Sequence, residues 1–122
     1  MKRTIASRNI TPREATIIEW LLDHAAMRDV TAYRANPIAA LRVVAVCDCG
    51  CSSLDFDSKT TGSQVMLADA VAVYPDQKQA GLILWGRDNE IVKLEVYEMD
   101  PVADRVPDIA DLRRYEDLFR EH

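Results

Sequence analysis

Two runs of strand-forming residues, Ala80 to Gly86 and Ile91 to Met99, are separated only by Arg87-Asp88-Asn89-Glu90. Asp and Asn tolerate the positive φ that a two-residue hairpin turn demands, so the segment reads as a tight β-hairpin centred on Asp88-Asn89. Such a pair constrains a fold strongly, because with a side-chain period of two the register assigns every residue to a face. A regular register from that turn sets Gly86 opposite Ile91, Trp85 opposite Val92 and Ile83 opposite Leu94. One face then carries Ile83, Trp85, Val92, Leu94 and Val96 and is expected to be the core side. The other carries Leu82, Leu84, Lys93, Glu95 and Tyr97. It is too apolar for a solvated face and too polar for a core, so either the C-terminal helix or a partner covers it, and these five residues are the candidate binding site.

The rest of the chain supplies further strands and two helices. Thr11-Pro12-Arg13-Glu14 is a capping box with proline at the first helical position, where its missing N–H costs nothing. Ala15, Ile18, Leu21, Leu22, Ala25 and Ala26 follow at helical spacing and form one apolar stripe, with Ile17, Trp20 and His24 in a second row that sets His24 at the edge of the buried face. Asn36-Pro37 repeats the signal over one turn through Ala40. Leu41 to Val46 and Leu54 to Phe56 read as strands joined by a hairpin turned near Gly50, and Val65 to Tyr74 as another strand closed by Pro75-Asp76. Asp108 with Asp111 predicts a second capped helix, whose stripe is Ile109, Leu112, Tyr115, Leu118 and Phe119. The expected fold is α+β: a mostly antiparallel sheet of four or five strands packed with an N-terminal and a C-terminal helix, over residues 1–122 as one domain.

Composition sets aside several functions. At 122 residues, with 48% hydrophobic and 29% charged residues, the chain is long enough to bury one core and is expected to fold alone. Twenty acidic against fifteen basic residues give a net charge of -5, and no basic cluster exceeds a pair. Nucleic-acid binding needs a basic stripe to release counterions and is not expected. An acidic surface more naturally steers a basic protein partner. Thr4 to Asn9 is mixed and polar where an export signal needs an apolar run, and no apolar stretch approaches the ~20 residues that span a bilayer. The reading is a soluble cytoplasmic protein with reduced thiols and no membrane contact.

Three cysteines, Cys47, Cys49 and Cys51, crowd into five residues. On one extended strand they would share a face with Val43 and Ala45, about 6.6 Å apart, whereas tetrahedral zinc holds its sulfurs about 3.8 Å apart. They could converge on a metal only if Gly50 bends the chain, and a fourth ligand has no obvious source, since His24 and His122 stand far apart. Burial as small hydrophobes is the simpler fate. Asp48, Asp55 and Asp57 would raise a thiol pKa, which argues against a nucleophile. Asp55 and Asp57 form a paired-carboxylate pattern that also fits the wet side of a strand, and Glu95 on a mixed face fits either a general base or an ion-pair partner of Lys93. No glycine-rich phosphate loop or nucleophile elbow occurs.

The runs Leu41 to Cys51 (LRVVAVCDCGC), Gly81 to Asp88 (GLILWGRD) and Leu94 to Tyr97 (LEVY), then an Asp/Pro-rich lead into a last helix, resemble a family of small uncharacterised bacterial proteins, a domain of unknown function. That resemblance implies no catalytic residue. The chain is also similar in size and charge to the immunity partners of secreted toxins. The expectation is a binding or interaction module without a cofactor rather than an enzyme, with a homodimer as one way to cover an open sheet face or edge. The alternative is a metal-binding or thiol-dependent protein that holds zinc through Cys47, Cys49 and Cys51.

Overall fold

The computed structural model describes residues 3–26, 28–47, 53–99, 107–115 and 117. Seven strands form one sheet: β1 (Arg3–Asn9), β2 (Arg42–Cys47), β3 (Leu54–Phe56), β4 (Val65–Val73), β5 (Gln79–Arg87), β6 (Glu90–Glu98) and β7 (Leu112–Arg113). Their order across the sheet is β1-β2-β3-β6-β5-β4-β7, and every neighbouring pair is antiparallel. One α-helix, α1 (Pro12–Asp23), lies against one face, and short 3-10 turns occupy Tyr33–Ala35, Ile38–Ala40 and Ile109–Asp111.

The capping box folds as its residue types dictate. Thr11 Oγ1 accepts from the Glu14 N–H at 3.1 Å, and the Glu14 carboxylate accepts from the Thr11 N–H at 2.9 Å. Glu14 is buried, and Arg8 of β1 donates twice to it, at 3.0 and 2.9 Å, which ties the first strand to the start of the helix. At the other end Arg34 donates to the Leu22 carbonyl and pairs with Asp23, satisfying groups that a helix terminus leaves open. Ile17, Ile18, Leu21 and Leu22 are buried against the sheet. Beneath them β4 and β5 present Ala68, Ala70, Ala72 and Ala80, whose short side chains let the helix approach closely.

The Asp88-Asn89 turn forms as expected, with φ of 49° and 67°, and Gly86 does pair with Ile91. The register then slips. A β-bulge at Val92 sets Trp85 opposite Lys93, so that Leu84 faces Leu94 and Leu82 faces Val96. The expected faces are therefore exchanged along β5: Leu82 and Leu84 are completely buried with Leu94 and Val96, while Ile83 and Trp85 turn outward. One extra residue moves a whole strand's side chains to the other side. Gly86, next to the bulge, receives the Tyr33 ring from the core side, since a Cβ there would lie 2.4 Å from Tyr33 Cε1.

The expected α+β class with two flanking helices is also corrected: among the described residues the fold is a seven-stranded antiparallel sheet with one α-helix element, and Leu118 and Phe119, the end of the expected C-terminal stripe, lie outside the described residues. The Asp108–Asp111 capping box is present but closes only a 3-10 turn. Leu112 then turns extended and joins β4 opposite Ala72, where it is buried in the core. Ile109, first in the expected helical stripe, is left 45% exposed. Edge pairing with β4 thus wins over helix propagation. β1 is a strand that its polar sequence does not announce, while β2 and β3 pair as the expected hairpin, whose turn near Gly50 lies outside the described residues.

Candidate binding face

The sheet face turned away from α1 is built from alternate residues of the central strands. Across its middle run Ile5, Ala45, Asp55, Lys93, Trp85 and Met66, each opposite the next in the register. A second row holds Glu95, Ile83 and Asp69, and a third Tyr97, Gly81, Val71 and Arg113. Most of these side chains are half-buried, and Ile5 is 89% exposed.

Trp85 sits where the two central strands meet, and its indole Nε1 donates to Glu95 Oε1 at 2.9 Å. That hydrogen bond ties the ring to β6 and satisfies its polar handle, while the indole stays half-exposed on the outer face. Tyr97 lies over Gly81, where an added Cβ would fall 1.9 Å from Tyr97 Cζ, so a bare glycine is the condition for this packing. The Tyr97 and Tyr115 hydroxyls share a hydrogen bond, which brings the segment after β7 round to this face. Burial, the Tyr97 hydrogen bond and the nearby Asp69 charge push the Tyr115 phenol well above its ordinary pKa, so it stays protonated.

Asp69 stands beside Ile83 on β4. Burial raises its carboxyl above the ordinary aspartate value, and the one hydrogen bond that opposes this comes from its own amide. A cleft of about 270 Å³ opens there, lined by His24, Ala25, Ala26, Ala68, Asp69, Arg114 and Tyr115. His24 is exposed rather than at the buried edge; its ring stacks on Trp20 at 3.9 Å, and its Nδ1 lies 2.8 Å from the Trp20 carbonyl oxygen.

Of the five residues expected to share one binding face, Lys93, Glu95 and Tyr97 do so, whereas Leu82 and Leu84 belong to the core. Asp55 pairs across the strands with Lys93, while Asp57 lies beyond β3, so the two aspartates are not a strand pair. Cys47 ends β2 with its backbone opposite Arg3, and Cys49 and Cys51 lie outside the described residues, as does the zinc site they would form. Among the described residues no three His, Cys, Asp or Glu side chains gather as a metal site. No described helix is long and apolar enough to cross a membrane. Among the face members missed in the sequence are Ile83, Trp85, Met66 and Asp69. A lone acid within the otherwise apolar VMLADAVAV of β4 was the one signal for the last of these.

No family model, curated protein or solved structure matches the chain.

Proposed function

We propose that the chain is an interaction module whose outer sheet face, centred on Trp85, docks a basic protein surface. The observation that carries this reading is a tryptophan hydrogen-bonded to Glu95 and half-open on the outer face, with Ile83 and Met66 beside it and Asp55, Glu95 and Asp69 on the same face. Aromatic and methionine side chains ringed by polar groups are the usual make-up of the energetic centre of an interface. Three carboxylates on this face against Lys93 and Arg113, on a chain of net charge -5, favour a cationic partner and its electrostatic steering.

Selection of displayed random peptides on the immobilised protein tests the proposal. Selected sequences should combine Lys or Arg with an aromatic or large aliphatic residue, and should bind less tightly as salt rises. Trp85→Ala should weaken them by about thirty-fold, the scale of a hot-spot residue, without changing the melting temperature by more than a few degrees. Peptides without cationic enrichment, or peptides indifferent to Trp85→Ala, would overturn it. So would a homodimer on sizing that Trp85→Ala dissolves, because the face would then belong to a second copy.

A further inference from the structure

We infer that the cleft beside Asp69 receives a guanidinium group, an arginine side chain of the basic partner, an assignment that rests on the docking reading above and gives it an anchor point. The cleft lies at the β4 border of the sheet, between the residues that follow α1 and those that follow β7, and Asp69, the β4 neighbour of Ile83, is the residue it shares with the outer face. One carboxylate, Asp69, lines it; it is partly desolvated and, among the described residues, its one hydrogen bond comes from its own amide, which leaves acceptor capacity for a ligand.

The other charged wall does not supply that partner. Arg114 donates two hydrogen bonds to Asp117, at 2.8 and 2.9 Å, so its guanidinium is engaged there and Asp69 is the carboxylate that lines the cleft. The remaining walls suit a flat cation. Tyr115 lines one side with its hydroxyl engaged by Tyr97, and His24 lines another with its ring backed by the Trp20 indole at an interplanar angle of 18°. Guanidinium is planar, pairs with a carboxylate through two parallel N–H donors and stacks on aromatic faces, whereas an ammonium is compact and holds its water more tightly. Ala25, Ala26 and Ala68 leave room for an aliphatic stem. A carboxylate placed where burial disfavours its charged form, with no described cation bonded to it, destabilises the folded chain and makes chemical sense where a cation arrives from outside.

Titration of the ¹⁵N-labelled protein with ethylguanidinium and, separately, n-butylammonium tests the assignment. Ethylguanidinium should shift the amides of Ala68, Asp69 and Tyr115 saturably, with a Kd on the order of millimolar, and n-butylammonium should bind at least about three-fold more weakly. Asp69→Asn keeps the side-chain shape and should weaken ethylguanidinium binding at least about ten-fold while the protein stays folded by its amide spectrum. Trp85→Ala should leave ethylguanidinium binding unchanged while it abolishes peptide binding. No saturable shift, equal binding of the two cations, or full binding by Asp69→Asn would overturn the guanidinium site and leave the Trp85 face standing. Cation binding without any selectable peptide would retain the cleft and sink the docking face.

Discussion

Replacing Leu84 and Ile83 by alanine, one at a time, discriminates between the regular hairpin and the bulged one. Leu84 is completely buried on the core side, whereas Ile83 is its half-buried neighbour on the outer face. Leu84→Ala removes three carbons from a close-packed site, about 2.4 kcal/mol at ~0.8 kcal/mol for each methylene. The cavity left between the sheet and its neighbours adds to this, and core substitutions of the kind cost about 2–5 kcal/mol in all. We expect about 3 kcal/mol for Leu84→Ala and about 1 kcal/mol for Ile83→Ala, whose side chain loses less contact and leaves space that water can fill. For a chain of this length one kcal/mol moves the melting temperature by about 3–5 °C, so the two variants should fall by about 10–15 °C and about 3–5 °C. Urea unfolding at 25 °C should show the same ranking in midpoint with an unchanged slope. A regular register reverses the ranking. If Ile83→Ala costs as much as Leu84→Ala, the bulge at Val92 is misplaced and the outer face with it.

The remaining predictions concern the helix start, the cleft and the hairpin turn. Burial raises the Glu14 carboxyl, but hydrogen bonds from Arg8 and Thr11 and the Arg8 charge outweigh it and hold the group below the ordinary value of 4.5. Its stabilisation is therefore fully present above that value and is lost as pH falls through the native one; Glu14→Gln should lower stability by about 2 kcal/mol at pH 7 and reduce the loss on acidification in urea titrations. Asp69 has the opposite sign: its raised carboxyl destabilises the fold at neutral pH, and the penalty is relieved as pH falls through the native value, so Asp69→Asn should raise the melting temperature at pH 7 more than at pH 3. Asn89→Gly should stabilise the chain by about 0.5 kcal/mol in chemical denaturation, because φ of 67° costs a Cβ-bearing residue and costs glycine nothing.

What the sequence makes legible is what local chemistry decides. The capping box, the Asp88-Asn89 turn and the apolar side of α1 each depend on residues within a few positions of one another, and all three are found in the structure. The bulges are not local in this sense. Val92 and Leu67 are the extra residues in β6 and β4: Leu67 sits in an apolar run, and Val92 follows the equally apolar Ile91, so a regular register splits that pair between the two faces without visible conflict. The face assignment of Leu82, Leu84, Ile83 and Trp85 fails for that reason alone. The C-terminal segment fails for another: its capping signal is genuine, but β4 had an unpaired edge at Val71 and Ala72, and a distant strand's open hydrogen bonds leave no trace near Asp108. β1 is hidden because RTIASRN earns its place through main-chain pairing and the Arg8–Glu14 contact rather than through an apolar face. Asp69 alone of the cleft could have been picked out, as an acid among alanines and valines.

The ends of the sheet have a consequence for how this chain can associate. At one end stands β1, with Arg8 fastened to Glu14, Arg42 reaching across to Ser7 and Asn9, and, among its described side chains, only Ile5 both apolar and exposed. At the other, β7 offers two residues, and the stretch of β4 beyond it has the Arg28 guanidinium on the Met66 carbonyl and the cleft along its flank. Neither border is long, flat and greasy enough to template another strand. Growth of the sheet by copying its own edge is thereby discouraged, and on the docking reading proposed for the Trp85 face a partner is met from one side of a finished layer, without polymerisation.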